Sequence, residues 1–192
     1  MGLKKKYQKS LDEQWCMRFN TRHPDGDNYV GVVTHIKPKF IALAELRDFE
    51  FDGVEILPKK FIKGYRDSKY QKCANELIRE NGEVSKLQPL EWLDECETIR
   101  DVITQLYEQG IWPGVERLYD KGFYIGPITE VAKTYFALYC YDAAGYWESN
   151  YKLKYRDICR VNFGDRYGRN FNAYMLKGWD PEGKGDATES TT

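Results

Sequence analysis

The sequence predicts a mainly β chain with helices, an α+β fold in which two tandem copies of one small strand-rich unit are joined by a helical segment. Three observations predict it. A segment of the first half recurs 95 residues later. Short runs rich in β-branched and aromatic residues alternate with Gly, Pro, Asn and Asp, and two stretches of helical period follow the first copy.

The repeat is anchored by Tyr29-Val-Gly-Val-Val-Thr-His-Ile36 over Tyr124-Ile-Gly-Pro-Ile-Thr-Glu-Val131, where Tyr, Gly and Thr are identical and Val exchanges with Ile. It continues as Phe40-Ile-Ala-Leu43 over Tyr135-Phe-Ala-Leu138, and an acidic, Gly-containing turn follows in both copies, Asp48 to Gly53 and Asp142 to Gly145. Farther on, Leu57 to Ile62 matches Leu153 to Ile158, and Tyr70 answers Tyr167.

In the first copy Gln14–Asn20, Tyr29–Ile36, Phe40–Leu46 and Val54–Leu57 read as strands, with a Pro/Gly turn at His23–Asp27. In the second, Gly114–Tyr119, Phe123–Val131, Tyr135–Tyr141, Tyr151–Lys154 and Ile158–Phe163 do. Gly31 and Gly126 sit inside strands, where the missing side chain costs stability unless the backbone bends or another strand comes close. Tyr70, Cys73, Ala74, Leu77 and Ile78 fall on one helix face, with Asp67 or Ser68 as N-cap and Asn81-Gly82 as the stop. Ile99, Val102, Ile103, Leu106 and Tyr107 form a second face between Thr98 and Gly110. The expected divisions are a flexible N-terminus over 1–13, a first unit over 14–82, an acidic helical linker over 83–110 whose Leu87, Leu90, Trp92 and Leu93 dock on a neighbour, a second unit over 111–177, and a disordered tail over 178–192.

Short bent strands closing on a helix resemble the Sm/SH3-like small barrels, and the chain is similar to uncharacterised bacterial proteins that carry two such units in tandem. The resemblance covers residues 14–81 and 111–177. It implies two small barrels and, because such folds host unrelated functions, little about activity.

The chain of 192 residues has a formal net charge of −1, 42% hydrophobic and 15% aromatic residues. That composition supports a core and leaves no global field to draw the protein onto nucleic acid or an anionic membrane. Charge is uneven: 16 Lys and Arg stand against 12 Asp and Glu in residues 1–82, 2 against 7 in 83–110, and 11 against 11 in 111–192. No apolar run is long enough to span a bilayer, and Lys4, Lys5 and Lys6 are followed by no apolar segment, so a cytoplasmic protein without membrane contact is expected. Five cysteines with no C-x-x-C spacing read as reduced, mostly buried thiols.

Catalytic chemistry finds few candidates. His23 lies in a turn, and His35 aligns with Glu130 and reads as a strand-face residue. No G-x-S-x-G is present, no Cys has a His/Asp partner set, and Gly164-Asp-Arg-Tyr-Gly168 lacks P-loop spacing. Asp25 and Asp27 lack the longer ligand run of a calcium loop. No catalytic residue, metal, cofactor or small-molecule ligand is expected.

The best candidate surface interleaves basic and aromatic residues: Tyr155, Arg156, Arg160, Phe163, Arg166, Tyr167 and Arg169 in the second copy, with Lys59, Lys60 and Lys63 in the first. Such a pattern suits stacked bases with cations along a backbone, and it also suits a half-exposed strand whose Arg and Lys stems cover apolar surface. The expected function is a non-enzymatic binding module that contacts a protein partner, or another copy of itself, through barrel edges and Tyr-rich faces. A single-stranded RNA- or DNA-binding protein is the first alternative, and a hydrolase with an unfamiliar carboxylate site the second.

Overall fold

The computed structural model describes residues 2–22, 28–120 and 122–178. Among the described residues the fold is mixed α+β, mainly strands, with four helices. The first half runs α1 (Leu3–Asp12), β1 (Met17–Thr21), β2 (Asn28–Ile36), β3 (Phe40–Arg47), β4 (Glu50–Pro58), a 3-10 turn (Lys59–Phe61), β5 (Ile62–Arg66) and α2 (Lys69–Glu80). Two 3-10 turns (Glu83–Lys86, Glu91–Glu95) lead to α3 (Ile99–Glu108). The second half runs β6 (Gly114–Arg117), β7 (Phe123–Ile125), β8 (Ile128–Val131), β9 (Tyr135–Tyr141), β10 (Trp147–Lys154), a 3-10 turn (Tyr155–Asp157), β11 (Ile158–Phe163) and α4 (Arg166–Met175). The His23–Asp27 turn and the tail from residue 179 lie outside the described residues.

The duplication is expressed bond by bond. Val33 and His35 oppose Leu43 and Ala42 across a bulge, and Ile128 and Glu130 oppose Leu138 and Ala137 across the same bulge. Thr34 Oγ1 donates to the Ala42 carbonyl at 3.4 Å, as Thr129 Oγ1 does to Ala137 at 3.4 Å. A Cβ on Gly31 would lie 2.2 Å from the Ala44 carbonyl oxygen, and one on Gly126 would lie 2.1 Å from that of Tyr139. Both glycines therefore exist for the close approach of the next strand. Beside Gly126, Pro127 supplies no N–H, and the single strand expected over Phe123–Val131 divides there into β7 and β8.

The repeat also begins earlier than expected. Of residues 1–13, expected as a flexible lead, Leu3–Asp12 form a helix: α1 lies 96 positions before α3 and ends in the same way. Trp15 N donates to the Ser10 carbonyl at 3.0 Å, and Ile111 N to Leu106 at 2.9 Å. Gln14 takes the left-handed φ of 48° that Gly110 takes at 66°. Tyr7 is buried, and Ser10 Oγ accepts Val33 N at 2.9 Å, the amide beside the β2 bulge. The lysines that made the segment look solvated occupy only its outer face. By the same equivalence α3 is the opening element of the second copy rather than part of a linker.

Two sheets result. The larger has the order β5-β1-β2-β3-β4-β11-β6-β7, and the smaller β10-β9-β8. Each half alone follows one order, with its last strand beside its first. Neither half closes: among the described residues β4 does not pair with β5, nor β10 with β11. Instead β4 pairs with β11, Val161 opposing Ile56, Asn162 opposing Glu55 and Phe163 opposing Val54. Strand pairing thus crosses from one copy into the other, where two separate barrels were expected.

This seam is why β3 and β4 carry apolar residues on both faces. Ile41, Leu43 and Leu57 face the first core with Tyr7, Phe19 and Val33. Phe40, Ala42 and Ile56 face the second with Phe136, Leu138, Val161 and the α3 residues Ile99, Val102, Ile103 and Leu106. Leu93 is fully buried there, so the acidic linker docks through its apolar residues as expected. On α2 the buried face is Gln71, Ala74, Asn75 and Ile78, which leaves Tyr70 and Cys73 exposed against expectation. Asn75 turns the helix: its side chain accepts Cys16 N at 2.7 Å and donates to the Cys16 carbonyl at 3.0 Å. Ser68 caps α2 with Gln71, and Thr98 caps α3 with Asp101.

The two kinds of strand glycine separate in a simple experiment. Gly31→Ala and Gly126→Ala are each expected to cost at least about 2 kcal/mol, lowering the melting temperature by about 4–8 °C. Gly64→Ala, where a Cβ meets nothing within 4 Å, is expected to leave it unchanged or slightly raised. Equal melting temperatures for all three would contradict the close-approach account.

Candidate functional site

The seam brings equivalent segments of the two copies side by side. The turn Lys59–Phe61 follows β4 and is held by Lys59 N donating to the Lys39 carbonyl at 2.9 Å. The turn Tyr155–Asp157 follows β10 and is held by Tyr155 N donating to Thr134 at 3.4 Å. Lys60 Nζ reaches across and donates to the Arg156 carbonyl at 2.7 Å.

Between these turns and the start of α3 lies a cleft of about 550 Å³. Lys39, Lys59, Lys60, Arg100 and Arg156 line it, and Pro38, Pro58, Ile99 and Tyr155 give it an apolar surface. A second cleft of about 500 Å³ shares Tyr155 and Arg156 and adds Lys133, Thr134 and Lys154. The Tyr155 ring between them is fixed, stacked on Phe136 at 5.4 Å with its hydroxyl donating to the Ala132 carbonyl at 3.1 Å. Burial depresses the ammonium pKa values of Lys59 and Lys60; Lys4 adds to the effect on Lys59, and Asp157 opposes it on Lys60. Crowded cations on partly dehydrated stems favour an anion that shares its charge among them.

Of the residues expected to form one basic-aromatic surface, Lys59, Lys60, Tyr155 and Arg156 meet here. The others do not join them. Lys63 is exposed on β5. Phe163 is buried and packs on Trp92, with ring centroids 5.7 Å apart. Arg166 and Arg169 pair with Asp52 at 3.5 and 3.9 Å, and Tyr167 stacks on Phe171. Lys39, Arg100, Lys133 and Lys154 are not among the expected residues; the first three lie away from the basic-aromatic runs, while Lys154 directly precedes Tyr155-Arg156. The one available signal was that Lys59-Lys60 aligns with Tyr155-Arg156.

Arg160 is corrected most sharply, because its side chain, 13% exposed, is engaged at the seam rather than presented to a ligand. Its Nε donates to Glu55 Oε2 at 2.6 Å, its Nη2 to Glu55 Oε1, and its Nη1 to Glu116 Oε1 at 2.6 Å. Tyr29 donates its hydroxyl to Glu116 Oε2 at 2.9 Å and lies under the guanidinium, 5.1 Å from the ring centroid. Two copies thus share one ion cluster, Tyr29 and Glu55 from the first and Glu116 and Arg160 from the second. One cation faces two carboxyl groups, so ionising both leaves excess negative charge away from water. Burial raises the Glu55 carboxyl to about 8, Arg160 opposing and Glu45 adding to the rise. These acids line neither cleft and are engaged with Arg160, an arrangement unlike a hydrolytic carboxylate pair.

The remaining candidates have structural surroundings. His35 is buried, its Nδ1 3.1 Å from Thr34 Oγ1 and its Nε2 3.9 Å from Asp94; burial lowers its pKa, with Asp94 opposing. His23, Asp25 and Asp27 lie outside the described residues. Of Gly164–Gly168, Gly164 and Asp165 form the turn into α4 and Arg166 to Gly168 are its first residues. Cys16, Cys96, Cys140 and Cys159 are buried. Among the described residues no group of three or more His, Cys, Asp or Glu could hold a metal ion, and no helix is long and apolar enough to cross a membrane. No protein-family model, curated protein or solved structure matches the chain.

The ion cluster makes two measurable demands. Arg160→Ala removes the guanidinium that Glu55 and Glu116 share and is expected to cost about 3–5 kcal/mol in urea unfolding. Glu55 keeps its proton up to about 8 when folded but loses it near 4.5 when unfolded, so folding binds a proton between those values and stability falls as pH rises. Between pH 7 and 8.5 the loss is expected to be about 1–2 kcal/mol and to shrink sharply in Glu55→Gln, the remainder coming from Cys16, Cys96 and Cys140, whose thiols burial also raises. His35, whose pKa burial lowers, acts in the opposite sense and is nearly spent above pH 7, so an undiminished loss in Glu55→Gln would exclude Glu55 as the main source.

Proposed function

We propose that the chain is a non-enzymatic, cytoplasmic binding module, two open small-barrel units of the Sm/SH3 kind joined along one seam, and that its ligand is single-stranded nucleic acid held in the seam cleft. The barrel reading rests on the strand order common to the halves and on the 3-10 turn before the last strand of each. The ligand reading rests on one observation: five cations from both copies and α3 converge on a cleft with a fixed aromatic ring, in a chain whose net charge is −1.

Phosphates need cations spaced along a path, and bases need a flat apolar partner. The adjoining clefts supply the path, running from Lys39 and Lys59 past Arg156 to Lys133 and Lys154. Tyr155 supplies the partner. A duplex hides its base faces, so a single strand fits this surface better. Contact with protein is favoured by a separate observation, the unpaired outer edges of β5 and β10.

Fluorescence anisotropy with mixed-sequence oligonucleotides tests the ligand reading. Binding is expected with a Kd on the order of 1–100 μM at low salt, weakening steeply as salt rises. Lys60→Glu and Arg156→Glu should each weaken it at least about tenfold, and Lys63→Glu should change it little. Undetectable binding at low salt, or equal effects of all three reversals, would remove the reading.

A further inference from the structure

We infer that a second copy of this chain docks on the outer edge of β10 through its own β5, repeating between molecules the junction that β4 and β11 make within one. β4 and β10 are equivalent strands of the two copies, as are β5 and β11. Within the chain β4 and β11 are used up by pairing with each other, which leaves their equivalents β10 and β5 each at one end of a sheet, unpaired on the outer side among the described residues, with β8 and β7 at the other ends. The duplication therefore places on the outside one unpaired example of each strand already joined inside. Transferring the internal register puts Tyr65 opposite Lys152 and Arg66 opposite Tyr151, each a cation beside an aromatic ring. Space is available: β10 is exposed from Glu148 to Lys152, and a Cβ on Gly64 in β5 would meet nothing within 4 Å.

The charges around the junction repeat as well. Inside the chain Asp52 of β4 holds the start of α4, accepting Arg166 N at 2.7 Å and pairing with Arg166 and Arg169. The position equivalent to Asp52 in the second copy is Glu148. Arg166 and Arg169 are answered in the first copy by Lys69 and Lys72, at the start of α2, in the register that sets Tyr70 against Tyr167. Glu148, Lys69 and Lys72 are all exposed, and no ion pair engages them among the described residues. An acid and two bases are thus arranged for the contact that Asp52, Arg166 and Arg169 make internally, with the partners on different molecules. The contact is heterologous, so successive chains add in one direction, into a ring if the rotation closes and a filament if it does not. Where the internal junction sets Val54 and Ile56 against Phe163 and Val161, the outer one sets Asn150 and Lys152 against Asp67 and Tyr65; it is accordingly weak, reversible and salt-sensitive.

Sedimentation equilibrium of the full chain tests this without reference to the cleft, whose residues are untouched. Wild-type protein at low salt is expected to exceed its monomer mass of 22.6 kDa increasingly with concentration. Glu148→Lys alone, and Lys69→Glu with Lys72→Glu, should each weaken association at least about fivefold. The triple variant, which restores opposite charges across the junction, should recover to within about twofold of wild type. Circular dichroism checks that each variant folds. A wild type that stays monomeric up to about millimolar concentration, reversals without effect, or a triple variant weaker than either parent would overturn the inference.

Discussion

An edge strand offers a row of unpaired N–H and C=O groups that must be paired, covered or blunted. The structure turns on how β4 meets that requirement. It bonds to β11, the last strand of the other copy, rather than to β5 of its own. From that pairing follow the eight-stranded sheet, the burial of β3 and β4 on both faces, and a core to which both copies contribute. The two copies cannot move apart without exposing Ile56, Val161 and Phe163 together. Folding of the second half is accordingly tied to that of the first.

The ion cluster sits behind this pairing and is the point at which the copies differ most. Across the equivalent strand pair the first copy has Asn20 opposite Gly64, and the second has Glu116 opposite Arg160. An arginine at position 64 would face solvent, whereas at 160 it meets Glu55 of the neighbouring copy and Glu116 of its own. Buried ion pairs add little net stability compared with apolar packing, but losing one member is costly. Such a cluster acts as a registration device. A slip of β11 by one residue along β4 would turn Arg160 away from Glu55 and into the apolar core.

The cleft follows from the same geometry. Two equivalent 3-10 turns, one following β4 and the other its equivalent β10, are brought together because β4 and β11 are neighbours. The apolar and turn-forming residues of the repeat are shared, while those of the two turns differ, so the meeting point is lined by Lys59-Lys60 from one side and Tyr155-Arg156 from the other. A symmetric pair of sites would require the same side chains twice. The seam has one composite site instead, which suits a ligand lying across both copies.

Within the sequence, hydrophobic period and turn chemistry determined most strands, helices α2 and α3 with their caps, and the existence and register of the repeat. These are local properties, set by neighbours a few residues away. The helical character of residues 3–12 escaped because Lys4, Lys5, Lys6 and Lys9 mask a narrow face of Leu3, Tyr7 and Leu11 that only a sheet makes useful. The face of α2 was misread by one position because Asn75, polar by type, is buried by its bonds to Cys16. Above all, nothing local distinguishes a strand that closes its own barrel from one that pairs with the neighbouring copy. Arg160 therefore read as a surface cation, and Lys39, Arg100 and Lys133 as unrelated charges. Their surroundings are built from groups about 20 to 105 residues away, and the Arg160 cluster and the seam cleft exist only because β4 pairs with β11.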